Sequence, residues 1–271
     1  MPRDLRIWLG GGFILFLILV AMFAPLLAPF DPLEQDLMAA TAAPGVEPGH
    51  WLGTDSLGRD VLSRLIYGTR IALTVAFVAA ALACLLGTTL GLLAGYYRGW
   101  VDAMVSRLVD IWMAFPPVLL SILLVAVLGA GLTSVIIAIV VIDWTRFARV
   151  VRAETQQQAR LEYAEAASAL GMGHGAILWR EVLPNVLPVV LVLLSLEMGI
   201  AVIVEAILSF VGLSVSTDTP TWGGMIAEGR QIIYQAWWVL VFPLGALFLT
   251  VLAFNQLGDG LRQWLDPMLK R

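Results

Sequence analysis

The side chains able to do chemistry are few in this sequence, and they are poorly placed for an active site. There are two histidines, His50 and His174, one cysteine, Cys84, and one lysine, Lys270. A phosphate-gripping loop needs a lysine followed by Ser or Thr after a glycine run, and here Arg271 follows Lys270. Gly171-Met172-Gly173-His174-Gly175 has the wrong spacing for a dinucleotide loop, and no strand precedes it. No H-E-x-x-H helix and no G-x-S-x-G elbow occurs. The expectation is therefore no catalytic residue, no metal site and no cofactor, and the lone cysteine excludes a disulfide framework.

What remains is a set of carboxylates in apolar surroundings. Glu205, Ser209 and Gly212 recur at i, i+4 and i+7 in one apolar run, so they share a helix face. A carboxylate inside a bilayer is costly, so this face does not point at lipid. It either fastens one helix to another, lines or gates a translocation path, or relays protons. Glu205 and Ser209 are the path candidates. Glu197, two turns earlier, reads as interfacial, and Asp143 with Arg146 and Asp110 with Arg107 read as local pairs.

The elements that must position these groups are membrane helices. Of the 271 residues, 60% are hydrophobic and only 13% charged, and the mean hydropathy is +0.89. Neither a soluble domain nor a disordered chain has this balance. The net charge of −4 with no basic block argues against nucleic acid. A crossing needs about 20 apolar residues, and six segments qualify, near 7–29, 71–96, 111–131, 133–151, 186–213 and 236–257. The fold class expected is an all-α membrane protein of six transmembrane helices. The first segment is too long for a signal core and reads as a retained anchor. Six crossings put both termini on one side. If that side is cytoplasmic, twelve of the sixteen basic residues lie inside, leaving Arg59, Arg64, Arg70 and Arg230 outside, as the positive-inside rule requires.

The expected divisions are an anchor at 1–30, an outer loop at 31–70, a five-helix core at 71–257 and a cytoplasmic tail at 258–271. Within the core lie an inner loop at 152–185 and an outer loop at 214–235; none of the loops is apolar enough for a core of its own. Ala79, Ala83, Gly87, Gly91 and Gly95 form a ridge of small residues for close helix packing, within the chain or against a second chain. Phe115-Pro116-Pro117 should kink or unwind the third span. In the inner loop, Leu161, Ala164, Ala167 or Ser168, and Leu170 can share one helix face. Gly171, Gly173 and Gly175 then break the helix, and a second short run, Ala176 to Val182, ends at Leu183-Pro184.

These residues carry a resemblance. Glu165-Ala166-Ala167, then Gly171 and Leu183-Pro184, resemble the EAA loop of ABC-importer permeases. His50-Trp51-Leu52-Gly53-Thr54-Asp55 through Gly58-Arg59-Asp60, Leu208-Ser209-Phe210-x-Gly212-Leu213, and Gly258-Asp259-Gly260-Leu261-Arg262 with Leu265-Asp266-Pro267 resemble the dipeptide/oligopeptide/nickel branch. Read from the residues alone, Gly53 and Gly58 make turns, and Asp60 caps a helix from Val61. The resemblance implies a type I permease bundle in a prokaryotic inner membrane, importing peptides. The alternatives are nickel or a metal chelate, or, in another class, an ion-coupled secondary transporter. It implies that Glu165, Ala166, Ala167, Gly171, Leu183 and Pro184 couple to an ATPase. The implied partners are a second homologous permease subunit, two ATP-binding subunits, an extracytoplasmic substrate-binding protein and membrane lipid.

Overall fold

The computed structural model describes residues 3–215 and 219–265. Asp266, Pro267, Lys270 and Arg271, used above, lie outside them. The described residues form helices and loops, with one isolated β-bridge between Thr54 and Asp60. Chain order gives α1 (Arg3–Met22), α2 (Ala24–Leu27), α3 (Val61–Tyr97), α4 (Gly99–Met113), α5 (Pro117–Leu128), α6 (Leu132–Gln158), α7 (Glu162–Ala169), α8 (His174–Ile177), α9 (Leu183–Phe210), α10 (Trp222–Gln231) and α11 (Trp238–Leu265).

Four helical stretches are long and apolar enough to cross a membrane: Leu5–Met22, Val61–Tyr97, His174–Phe210 and Trp238–Leu265. The third expected span is not one helix. α4 and α5 meet at 87° across Ala114–Pro116, where the proline pair removes backbone donors. The fourth expected span is α6, 27 residues long, with Asp143 near its middle and Arg146 and Arg149 in its second half.

Small residues decide the packing. α3 and α6 run parallel, and the ridge on α3 is filled from within the chain. A Cβ at Gly87 would sit 2.5 Å from Phe147 Cβ, at Gly91 2.8 Å from the Ala148 oxygen, and at Gly95 2.7 Å from the Arg152 oxygen. Lipid supplies no hydrophobic drive between helices, so this close approach supplies the attraction. α11 runs antiparallel to both α1 and α9: Gly10 lies under Ala253, and Ser195 donates to the Phe254 oxygen at 2.7 Å. Arg6 reaches Asp259 at 3.7 Å, so the first and last helices end on one side. The α6–α9 connection projects from that same side.

Several expected boundaries move. α3 starts at Val61, because Asp60 accepts from Ser63 N and Ser63 Oγ, both at 2.7 Å, and the capped turn continues into the span. The 31–70 loop therefore ends at Asp60. α6 runs on to Gln158, shortening the inner loop. α11 continues through the expected tail to Leu265, since Gly258 and Gly260 let it pack on Leu196 and Ile7. The outer loops do share a core: Met225, Ala236, Trp238 and Val239 pack with Val61, and Ala43 and Leu52 join them.

Candidate functional site

At the end that carries Arg6 and Asp259, α7 stands out as a short helix with a divided surface. Ala164 and Ala167 are buried against Leu92 of α3, Val151 of α6, and Ile177, Leu178 and Val182. Glu165, Ala166, Ser168 and Ala169 are exposed, and Leu170 is 88% exposed. Of the face expected from helical spacing, Ala164 and Ala167 turn inward, while Leu161 and Leu170 do not. Ala167 therefore seats the helix on its own chain, and Ala166 is the alanine that faces out. The helix stops at Gly171, which has φ +82°; Gly171 N donates to the Ser168 oxygen and Met172 N to the Ala167 oxygen. That is a Schellman stop, which favours glycine at the left-handed position. Gly173 and Gly175 are not left-handed, so the elbow rests on Gly171 alone.

The second expected short helix is not separate. Helix is continuous from His174 to Phe210, through a π turn at Leu178–Val182. Leu183 N donates to the Leu178 oxygen, one residue further back than in an α-helix. The wider turn accommodates Pro184, which lacks a donor, and Asn185 Nδ2 donates to the Glu181 oxygen at 2.7 Å. Leu183 is half-buried, and Pro184 lines a 570 Å³ cavity between α6, α9 and α11. A second, 530 Å³ groove lies at the foot of α7, walled by Glu165, Ser168, Tyr96, Arg98, Arg160 and His174. Tyr96 Oη and His174 Nδ1 are 3.1 Å apart across it.

Within the bundle, Glu205 is 1% exposed and accepts hydrogen bonds from Ser209 at 2.6 Å and Ser214 at 3.1 Å. Beside it, a Cβ at Gly223 would lie 2.6 Å from Ser209 Cβ, so α10 seals this face of α9. Gly212 does not share the stripe; it follows the end of α9 as a left-handed turn, φ +80°. Ser214 is the partner that helical spacing could not supply, since it lies past that turn. Glu197 is buried rather than interfacial: Arg146 Nη1 donates to its two oxygens at 3.2 and 3.1 Å. Arg146 thus turns to α9, and its approach to Asp143 is only 4.0 Å. Asp110 pairs with Arg149 at 3.6 Å, not with Arg107, because α4 lies against α6. Asp143 and Arg146 also wall a 240 Å³ cavity, otherwise apolar, between α5, α6 and α9.

At the opposite end, the segment after α2 straps over α3 and α10. Gly53 and Gly58, at φ +77° and +73°, make the expected turns. His50 Nδ1 lies 2.9 Å from Asp60 Oδ1. A buried network was not legible. Asp55, fully buried, binds Arg59 Nε at 2.8 Å and Arg64 Nη1, and both arginines bind Glu228 of α10, Arg59 Nη2 at 2.9 Å and Arg64 Nη1 at 2.6 Å. Burial alone would raise the Glu228 carboxyl, but hydrogen bonds and charge from Arg64 and Arg59 outweigh it and hold the group below the ordinary glutamate value.

This bundle is the fold of type I ABC-importer permeases. It superposes on a chain of the inward-facing MetNI methionine ABC transporter with a TM-score of 0.64 at 21% identity, covering 75% of this chain and 96% of that one. A chain of an amino acid ABC transporter determined with histidines gives a TM-score of 0.59 at 18% identity, covering 75% and 95%. The family model for the binding-protein-dependent transport system inner membrane component matches residues 87–271, and the N-terminal transmembrane domain of oligopeptide transport permease C matches residues 7–44. The chain belongs to the binding-protein-dependent transport inner-membrane-component family, and is a multi-pass inner-membrane permease component. Among its relatives, the glutathione transport system permease protein GsiD of Pectobacterium atrosepticum is 44% identical over 261 residues, 96% of this chain and 86% of the relative. The dipeptide transport system permease protein DppC of Alkalihalophilus pseudofirmus is 42% identical over 253 residues, 93% and 83% respectively.

Proposed function

We propose that the chain is one of two permease subunits of an ATP-driven importer of short peptides. Two ATPases dock on the exposed face of α7 and its counterpart, and a substrate-binding protein delivers from the strap end. Both termini and α7 are cytoplasmic on this reading, which the distribution of basic residues supports. Relatives named for dipeptide and glutathione transport support substrates of two or three residues.

One observation carries the reading. α7 presents Glu165, Ala166, Ser168 and Leu170 outward while Ala164 and Ala167 fix it to the root of a helix running unbroken from His174 to Phe210. A push on α7 is thus delivered to α9 without a flexible joint other than Gly171. Glu165, Ala166 and Gly171 act at the docking face; Ala167, Leu183 and Pro184 transmit behind it. The burial of Glu205 and its hydroxyl partners, Ser209 on the same helix and Ser214 past its end, support a role for Glu205 and Ser209 in fixing the turn that closes α9.

The test is ATP-dependent dipeptide uptake by the assembled complex in proteoliposomes. Glu165→Lys and Gly171→Pro abolish uptake while the chain still inserts; proline cannot adopt the φ of +82° at Gly171. Full uptake by both variants, or uptake by this chain with no ATPase present, overturns the proposal.

A further inference from the structure

The 240 Å³ cavity between α5, α6 and α9 has one wall of ionisable side chains, Asp143 and Arg146, and is otherwise lined by apolar residues. Arg146 holds both Glu197 oxygens from a single nitrogen, so those two charges offset each other. Asp143 stands apart. Its side chain is 5% exposed, and its one ionic contact among the described residues is the 4.0 Å approach to Arg146 Nε. A carboxylate so enclosed is costly without a charge or donor to meet it. Glu205 makes the contrast: it is as deeply buried, yet it takes two hydroxyl hydrogen bonds. With Glu197 held by Arg146, Asp143 is the acceptor left facing walls such as Pro117, Ile142 and Ile203.

We propose that this cavity is a binding site for a primary ammonium group, with Asp143 as its acceptor and the isoleucine walls taking the adjoining side chain. An ammonium brings one positive charge and three donors, which matches a lone carboxylate. The assignment rests on the peptide reading above, under which the ammonium is the amino terminus of the transported peptide. At 240 Å³ the cavity is smaller than the ~300–1,000 Å³ of sites that enclose a whole drug-sized ligand, so it takes one end of a peptide.

The experiment uses the assembled complex carrying Cys84→Ala and Ile203→Cys, which places a single thiol of this chain on the cavity wall. Labelling by methanethiosulfonate ethylammonium and by methanethiosulfonate ethylsulfonate is compared, each scaled to its rate with a free thiol. The cationic reagent is expected to be faster by at least about tenfold, because an apolar cleft of one charge concentrates counter-ions. Asp143→Asn removes that preference, and Asp143→Glu keeps it. A dipeptide with a free amino terminus slows labelling, and its N-acetyl form does not. An unchanged preference in Asp143→Asn, or equal protection by the acetylated peptide, overturns the site. A preference that depends on Asp143 with protection by neither peptide keeps the ammonium site and overturns its assignment to the amino terminus of the transported peptide, while the uptake assay tests the peptide reading separately.

Discussion

Asp55→Asn should loosen the strap far more than Glu228→Gln, although both remove one carboxylate from the same network. Asp55 has no exposure and binds Arg59 and Arg64, and Arg64 is itself 4% exposed with its Nε already lacking a partner among the described residues. Neutralising Asp55 leaves two guanidinium groups, both buried, sharing Glu228. Removing one partner of such a buried pair costs about 3–5 kcal/mol. Glu228 has a side chain 36% exposed, so water screens its share, and its loss should cost about 1 kcal/mol. The measurement is thermal unfolding of the purified complex, with limited proteolysis between Ala28 and Asp60 to locate the opening. Asp55→Asn should lower the midpoint on the order of 10 °C and expose the strap, and 1 M salt should not erase the difference between variants, since buried pairs are weakly screened. Equal effects of the two substitutions, or a salt-sensitive gap, would refute the reasoning. The pH dependence follows from Glu228. Its folded value lies below the ordinary one, so its contribution is complete above about pH 4.3 and is lost as the pH falls through the depressed folded value. Strap protection should therefore weaken on acidification in the native chain, and that acid step should vanish in Glu228→Gln.

Other consequences are as direct. Gly87→Leu places a side chain where even a Cβ meets Phe147 Cβ at 2.5 Å and overlaps the Trp144 oxygen; overpacking of this kind costs about 1–3 kcal/mol, read as a lower unfolding midpoint, whereas Gly12→Leu, with nothing near its Cβ, should be neutral. Ala166→Arg should leave the permease folded but weaken ATPase co-purification. Ala167→Arg, buried on α3 and α6, should instead lower the yield of folded permease; identical behaviour of the two would refute the division of α7 into a seated and a docking face.

The spans were legible because a bilayer imposes length and apolarity on any helix that crosses it. Asp60, Gly53 and Gly58 were legible because caps and left-handed turns are local demands, met by the residue itself. The bend at Phe115-Pro116-Pro117 was legible for the same reason; its angle of 87° was not. What failed were choices among partners. Arg146 has Asp143 one turn away, and nothing in the sequence says that Glu197, 51 residues on, binds it more closely. Asp110 likewise chooses Arg149 over Arg107 because α4 lies across α6. The Asp55–Arg59–Arg64–Glu228 network spans up to 169 residues of separation and carries no local signature. In α7, spacing identified Ala164 and Ala167 as one face, yet whether that face turned toward the chain or away depended on the greasy surface at Ile177, Leu178 and Val182 arriving beneath it.

The same placement of charges explains how one bundle can be stiff at both ends and yet able to move in between. At the strap end, four charged groups lock α3 to α10; at the other end, Arg152 of α6 binds Asp102 of α4, and Arg6 of α1 meets Asp259 of α11. Between these two ends the parallel α3 and α6 are fixed backbone to backbone by Gly87, Gly91 and Gly95. α9 and α5 meet this pair with larger side chains and enclose a cavity where the ionic contact of Asp143 is a 4.0 Å approach to Arg146. A closely packed glycine seam resists sliding, whereas a wall of isoleucines beside empty space does not. On the proposed role of α7, a displacement entering there has room for a shift of α9 relative to α6, and the Arg146–Glu197 pair is the bond across that boundary which must follow or break.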